Sequence, residues 1–187
     1  PHADVPDALC GKIDFYTFQG GHTAGAELDN HYRFGLHYYD KPGAKPVVNS
    51  EPPCDGHGHS HADGRHGTES LRSAAWQSLL SGASAGVTYG AHGLWSMHRA
   101  GQAFSNIAFS NKPFDWRTAL RLPGAWAMAN ARALFEAHDL FGLGPLDALD
   151  EQYPSIRMAA NADRSTLAIY APFACDVHLT LSLDGYD

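Results

Sequence analysis

Three short runs of apolar residues along the chain predict buried strands: Ile13-Asp14-Phe15-Tyr16-Thr17-Phe18, Pro46-Val47-Val48-Asn49 and Gly86-Val87-Thr88-Tyr89. Each is rich in β-branched or aromatic residues, and each ends in Gly, Pro or small polar residues, where strands stop. Between the second and third runs the period becomes helical. Thr68 is a candidate N-cap, Leu71, Ala74, Ala75, Leu79 and Leu80 recur on one face, and Gly82 can end the helix. A second helix is predicted from Ala125 to His138, with Pro123 and Gly124 at its start and Phe141-Gly142-Leu143-Gly144 past its end. Strands alternating with helices indicate βα units and a parallel sheet.

The pattern changes near Leu149. Residues 155–160, 166–171 and 177–183 read as strands with alternating residues, and Asn161-Ala162-Asp163-Arg164 supplies a turn between the first two. This is an antiparallel texture, so a domain boundary is expected close to Asp150. The expected division is 1–149 and 150–187. Both parts look incomplete. A full (β/α)8 barrel takes about 250 residues, and a β-sandwich needs about seven strands. Pro1-His2-Ala3-Asp4 reads as a loop that follows an earlier strand.

Composition narrows the function classes. With 44% hydrophobic and 18% charged residues the chain is globular in character. A net charge of -7 with 13 scattered Lys and Arg excludes the basic face of a nucleic-acid binder. No apolar run approaches the ~20 residues of a membrane span. Cys10, Cys54 and Cys175 form no C-x-x-C pair.

In a (β/α) barrel the chemistry sits at the C-terminal ends of the strands. After the first strand comes Gln19-Gly20-Gly21-His22-Thr23, where two glycines let the backbone turn and leave His22 projecting. His22 can bond a substrate or a carboxylate, or it is simply a loop histidine. After the second strand comes Asn49-Ser50-Glu51-Pro52-Pro53. Pro52 keeps Glu51 out of the helical region, so a carboxylate stands on rigid backbone at a strand end. Glycosidases need two such groups; a solvated glutamate is the plain alternative. After the third strand Tyr89, His92 and Trp95 are expected on one rim, where aromatic rings can face a sugar. Leu94 and Trp95 can instead open a helix or pack in the core. The low-complexity stretch from Asp55 to His66 carries His57, His59, His61 and His66. Imidazoles suit zinc, copper or nickel, but i, i+2 spacing in a Gly-rich loop implies no fixed geometry, and no metal site is assigned.

Together IDFYTFQGGH (13–22), KPVVNSEP (45–52), LRSAAWQSLLSGASAGVTYGAHGLW (71–95) and LPGAWAM (122–128) resemble the apiosidase-like glycoside hydrolases, the domain-of-unknown-function family 4038 related to glycoside hydrolase family 140. The resemblance covers roughly residues 1–146 and implies the last three strands of the barrel. The tail resembles the start of the β-sandwich often appended to it. The implied fold is thus the C-terminal half of a (β/α)8 TIM-type barrel followed by a truncated antiparallel β domain. The implied mechanism is retaining, with Glu51 as the nucleophile ending strand seven and a second carboxylic acid ending strand four. His22, Tyr89, His92 and Trp95 would line the sugar site, and Asp55 would stand for the acid of a Tyr-Glu-Gly segment that here reads Cys54-Asp55-Gly56. No cofactor is implied. The substrate would be an oligosaccharide or the side chains of a plant or microbial polysaccharide, and the location extracellular or periplasmic. The strand-four acid has no counterpart in these residues, and Asp14, inside the strand-six run, is expected to be structural. The chain alone is therefore expected to be inactive and to need the N-terminal barrel half, from the same or another chain. Two other readings compete: a non-catalytic carbohydrate- or matrix-binding protein, and a metal-binding protein built on the histidine-rich loop.

Overall fold

A computed structural model describes residues 4–22, 29–60, 62–105, 108–149 and 153–182. It contains a parallel sheet backed by helices and a small antiparallel sheet beyond it.

The parallel sheet has the order β1-β2-β3, from β1 (Tyr16–Gln19), β2 (Val47–Glu51) and β3 (Gly86–Val87). The expected strands are present with shifted ends. The first starts three residues later than the apolar run, because α1 (Asp7–Cys10) and a bend occupy the approach, and Asp14 lies exposed before the strand. The third keeps only Gly86 and Val87 in the ladder, although the Thr88 N–H still donates to the Asn49 carbonyl.

Alternation explains the core. Tyr16 and Phe18 of β1 and Val47 of β2 turn to one face and are fully or nearly buried with Cys10, Tyr38 and Ala83. Phe18 stacks on Tyr38 with ring planes 6° apart. Tyr38 belongs to α2 (Asn30–Tyr39), a crossover helix that the apolar pattern did not reveal. Its sequence mixes His, Tyr and Arg around Gly35, a poor helix former. The glycine has a packing reason: a Cβ there would stand 2.7 Å from the Ser81 carbonyl, so α2 lies directly on the turn before β3. The opposite sheet face is open: Thr17, Gln19, Ser50 and Thr88 are exposed, whereas parallel sheets ordinarily have both faces covered.

The helix α3 (Thr68–Leu79) follows the expected pattern, with Leu71, Ala74 and Ala75 buried, and Gly82 turns the chain at φ 100°. Thr68 is its first residue; the N-cap is Gly67. A short α4 (Trp116–Ala119), capped by the Asp115 carboxylate on the Arg117 N–H, precedes α5 (Gly124–His138). α5 ends at His138 as expected, with Asp139 in the left-handed region at φ 50° as its C-cap. No described helix is long and apolar enough to cross a membrane.

The second sheet joins β4 (Gly144–Pro145), β5 (Arg157–Ala160) and β6 (Leu167–Tyr170) in antiparallel order. The 161–164 turn forms as expected, closed by the Thr166 N–H on Asn161 Oδ1 at 3.0 Å. The predicted strand over 177–183 is reduced, among the described residues, to a bridge between Leu149 and Leu179; Leu183 lies outside them, as do His61 and Asp150. Trp76 of α3 stacks on Tyr170 with planes 10° apart, and the Ser73 and Tyr170 hydroxyls are 3.0 Å apart, so β6 docks on α3.

Candidate active site

The C-terminal ends of the parallel strands frame a cleft of about 460 Å³, lined among others by His22, Ser50, Glu51, Cys54, Tyr89 and Trp95. Among the described residues Glu51 is the one carboxylate lining it. Strict alternation would put Glu51 on the helix-packed face with Val47 and Asn49. A bulge prevents this. Phe18 pairs with Asn49 but Gln19 pairs with Glu51, leaving Ser50 as the extra residue. The inserted residue shifts the side-chain phase, as a register slip does. Glu51 thus meets Gln19 on the open face, and Gln19 Nε2 donates to Glu51 Oε2 at 2.5 Å. Buried Pro52 and Pro53 carry the chain away.

His22 stands with Nδ1 3.9 Å from Glu51 Oε1, too far for a hydrogen bond. Burial, then His57, His66 and other neighbouring histidines, pushes its pKa down to about 3. At neutral pH the pair is therefore a neutral imidazole beside a carboxylate, not a salt bridge. Of the two glycines before His22, only Gly21 needs its freedom, at φ 80°, with its N–H on the Glu51 carbonyl. Gly20 is required by contact: a Cβ would fall 2.0 Å from His31 Nδ1.

The histidine-rich loop is expected to lack fixed geometry, but its described residues, 55–60 and 62–66, hold defined hydrogen bonds and ring contacts at and beneath the cleft. Buried His57 lies between His22, at 3.9 Å between ring centroids, and His92, at 4.8 Å. His57 Nδ1 donates to the Gly58 carbonyl at 2.8 Å and His66 Nε2 to the His22 carbonyl at 2.9 Å, which sets both tautomers. Arg65 holds the loop from outside through the Gly56 and Lys112 carbonyls. Burial pushes His66 and His92 down to about 4. Among the described residues no three His, Cys, Asp or Glu groups converge as a metal-ligand set.

Trp95 begins no helix and is not core: it sits in a turn, 51% exposed, its ring lying on His92 at 13° between planes. His92 is fully buried and lies behind Trp95, so it supports the rim instead of facing the cleft. Asp55 is likewise below the surface, 2% exposed. Its Oδ2 accepts the Gly124 N–H at 2.7 Å, at the N-terminus of α5, and the Tyr89 hydroxyl at 3.3 Å. Burial raises its pKa, and the Gly124 and Tyr89 donors oppose that rise. Asp55 therefore anchors α5 and aims Tyr89, which does line the cleft. Asp55→Ala strips an acceptor from two donors, and a buried unsatisfied group costs about 1–3 kcal/mol. Urea denaturation should show a loss of about 3 kcal/mol when the helix anchor is included. An unchanged midpoint would contradict this role.

Cys54 and His57 line the cleft and Gln19 bonds the Glu51 carboxylate; reading along the sequence assigned Gln19 and Cys54 no site role and His57 only a place in the histidine-rich loop. For Gln19 the signal was available: it ends β1 beside the neighbouring strand's Glu51. Cys54 carries no such signal. Its thiol is pushed up to about 12 by burial and by Glu51 and Asp55, so it stays protonated and is a poor nucleophile. Asn49, buried behind Glu51, was also passed over as part of the strand.

Residues 8–142 match the family model described as apiosidase-like, catalytic domain. Two solved structures share the fold: one described as a glycoside hydrolase, the other a glycoside hydrolase family 5 protein from Bacteroides vulgatus ATCC 8482. Each superposes with a TM-score of 0.68 at 24% identity. The matches cover 82% and 83% of this chain and 38% of each of those chains. The chain thus spans well under half the length of the structures it resembles. A search of curated proteins finds no match.

Proposed function

The chain belongs to the apiosidase-like catalytic-domain family, and on that premise we propose that it carries the nucleophile half of a retaining glycoside hydrolase. In this reading β1, β2 and β3 are strands six to eight of a (β/α)8 barrel spanning residues 1–149, and residues 150–187 begin a β-sandwich. The open sheet face would be the barrel interior, covered by an N-terminal barrel half in the same polypeptide or another.

The observation that carries the proposal is the Glu51 carboxylate. It ends the middle strand of the parallel sheet, is turned to the open face, and is held by Gln19 in a cleft with an exposed tryptophan. Its free Oε1 side would attack the anomeric carbon as the bond to the leaving oxygen breaks. A second carboxylic acid, contributed from outside these residues about 5 Å from Glu51, would give that oxygen its proton and then take one from the water that cleaves the glycosyl–enzyme ester. The chemistry needs no cofactor. Neutral His22 would leave the negative charge of Glu51 undiminished for attack. Tyr89 and Trp95 would offer ring faces to the sugar. The substrates would be oligosaccharides or polysaccharide side chains met outside the cytoplasm, with an apioside as the first to try.

The test is hydrolysis of aryl glycofuranosides and plant pectic side chains by the complete polypeptide, with the anomer of the first product followed by NMR. Net retention is the expected result. Binding without turnover, or inversion, would overturn it.

A further inference from the structure

We propose that Asn49 is the positioning residue of Glu51: its carboxamide holds the one-residue bulge that turns the Glu51 side chain from the helix-packed face into the cleft. The inference rests on the reading of Glu51 as nucleophile and explains how the fold places it.

Bulges are rare in parallel pairs, and this one needs its displaced donors satisfied. Asn49 is fully buried. Its Oδ1 accepts both the Gly20 N–H and the Glu51 N–H, each at 3.3 Å, one from the end of each strand. Its Nδ2 donates to Ser78 Oγ at 3.0 Å and faces His31 Nδ1 at 3.3 Å. The amide can stand only this way round, since a flip would set its NH2 against two backbone donors. His31 Nδ1 is then the acceptor, which requires a neutral ring protonated at Nε2. Burial, with a smaller push from His66, holds His31 neutral, its pKa down to about 3. Ser78 donates onward to the Ala74 carbonyl at 2.7 Å, so α3 anchors the carboxamide. Gly20 leaves the room that His31 fills. Ser50, the extra residue, is pinned separately by its hydroxyl on the Phe18 carbonyl at 3.0 Å. The clamp therefore runs from helices α2 and α3 through Asn49 to the backbone of the nucleophile itself. Asn49 touches no substrate.

The experiment compares Asn49→Leu and Asn49→Asp in the complete polypeptide. The leucine is close in size but accepts nothing; the aspartate keeps an oxygen toward the two N–H groups. With active sites counted by covalent trapping, Asn49→Leu should lower kcat about 100-fold with KM within about threefold, the effect of a displacement near 1 Å. Asn49→Asp should recover to within about tenfold of the parent. Hydrogen exchange at the Gly20 and Glu51 amides should speed up in Asn49→Leu and not in Asn49→Asp. A kcat per trapped site unchanged in Asn49→Leu would overturn the proposal, as would unchanged exchange at both amides. If Asn49→Leu does not fold, Ser78→Ala removes one anchor, and about fivefold lower kcat is expected; no change would count against the clamp. The exchange measurement also separates the two ideas: if Glu51→Gln keeps its rate the nucleophile reading fails, while faster exchange in Asn49→Leu would still establish the clamp.

Discussion

Glu51→Gln in the complete polypeptide should lower kcat by about 10³-fold or more while leaving the fold intact, the result expected if Glu51 is the proposed nucleophile and acts only in the chemical step. The amide has nearly the same shape and keeps an oxygen for Gln19 Nε2, so the bulge, the cleft and substrate affinity should survive. What disappears is the oxygen that, in the proposed mechanism, forms the glycosyl ester. KM should change little, and a fluorinated glycoside that traps the parent should leave the variant unlabelled by intact mass. Glu51→Gly opens the space instead. Azide can then enter on the nucleophile's face and displace the leaving group, giving a glycosyl azide of inverted configuration and restoring turnover. A Glu51→Gln variant within tenfold of the parent's kcat would remove the nucleophile assignment altogether.

Acid should destabilise this protein as the pH falls below 6.5, before Asp4, Asp115 and Asp163 take up protons. His22, His31, His66 and His92 are held at about 3 to 4, against 6.5 for an ordinary histidine. Burial is the first cause for all of them. The sign follows from which state binds more protons. Between pH 6.5 and about 4 the unfolded chain takes protons on these imidazoles and the folded chain refuses them, so stability falls as pH falls through that window. Each histidine contributes on the order of 1.4 kcal/mol per pH unit there. The melting temperature should drop by more than about 10 °C between pH 7 and pH 5. Asp4, Asp115 and Asp163 are shifted below 3.8, mainly by hydrogen bonds, and their contribution is lost only at lower pH. The two effects separate on the pH axis. Scanning calorimetry at half-unit steps decides the matter; a flat melting temperature from pH 7 to 5 would show that the imidazoles are solvated.

The contrast between α3 and α2 shows what kind of information the sequence carries. In α3, Leu71, Ala74 and Ala75 repeat at helical spacing because one face is buried against apolar neighbours, and the repeat is visible in isolation. In α2 the buried set is His31, Tyr32, Gly35 and Tyr38. His31 is there to meet Asn49, and Gly35 to let a carbonyl approach, so polar and small residues occupy the positions that a pattern search expects to be apolar. Likewise the histidine-rich loop reads as low complexity, yet its described residues are held by backbone carbonyls at His22 and Ser110 that no local window contains.

By itself the sequence determined the strand cores at Tyr16, Phe18 and Val47, the helices α3 and α5, the turn at 161–164, and Glu51 as the carboxylate at a strand end stiffened by proline. These follow from propensity and periodicity, which act within a few residues. Only the tertiary structure decided which face Glu51 takes, that Asp55 and His92 lie beneath the cleft, and that Gln19 meets the carboxylate. Those outcomes depend on partners far along the chain: Asn49 answers to His31 18 residues away and to Ser78 29 away, and Glu51 to Gln19 32 away. Alternation alone would have turned Glu51 inward. A single bulged residue, held by hydrogen bonds across two strands and two helices, turns it outward.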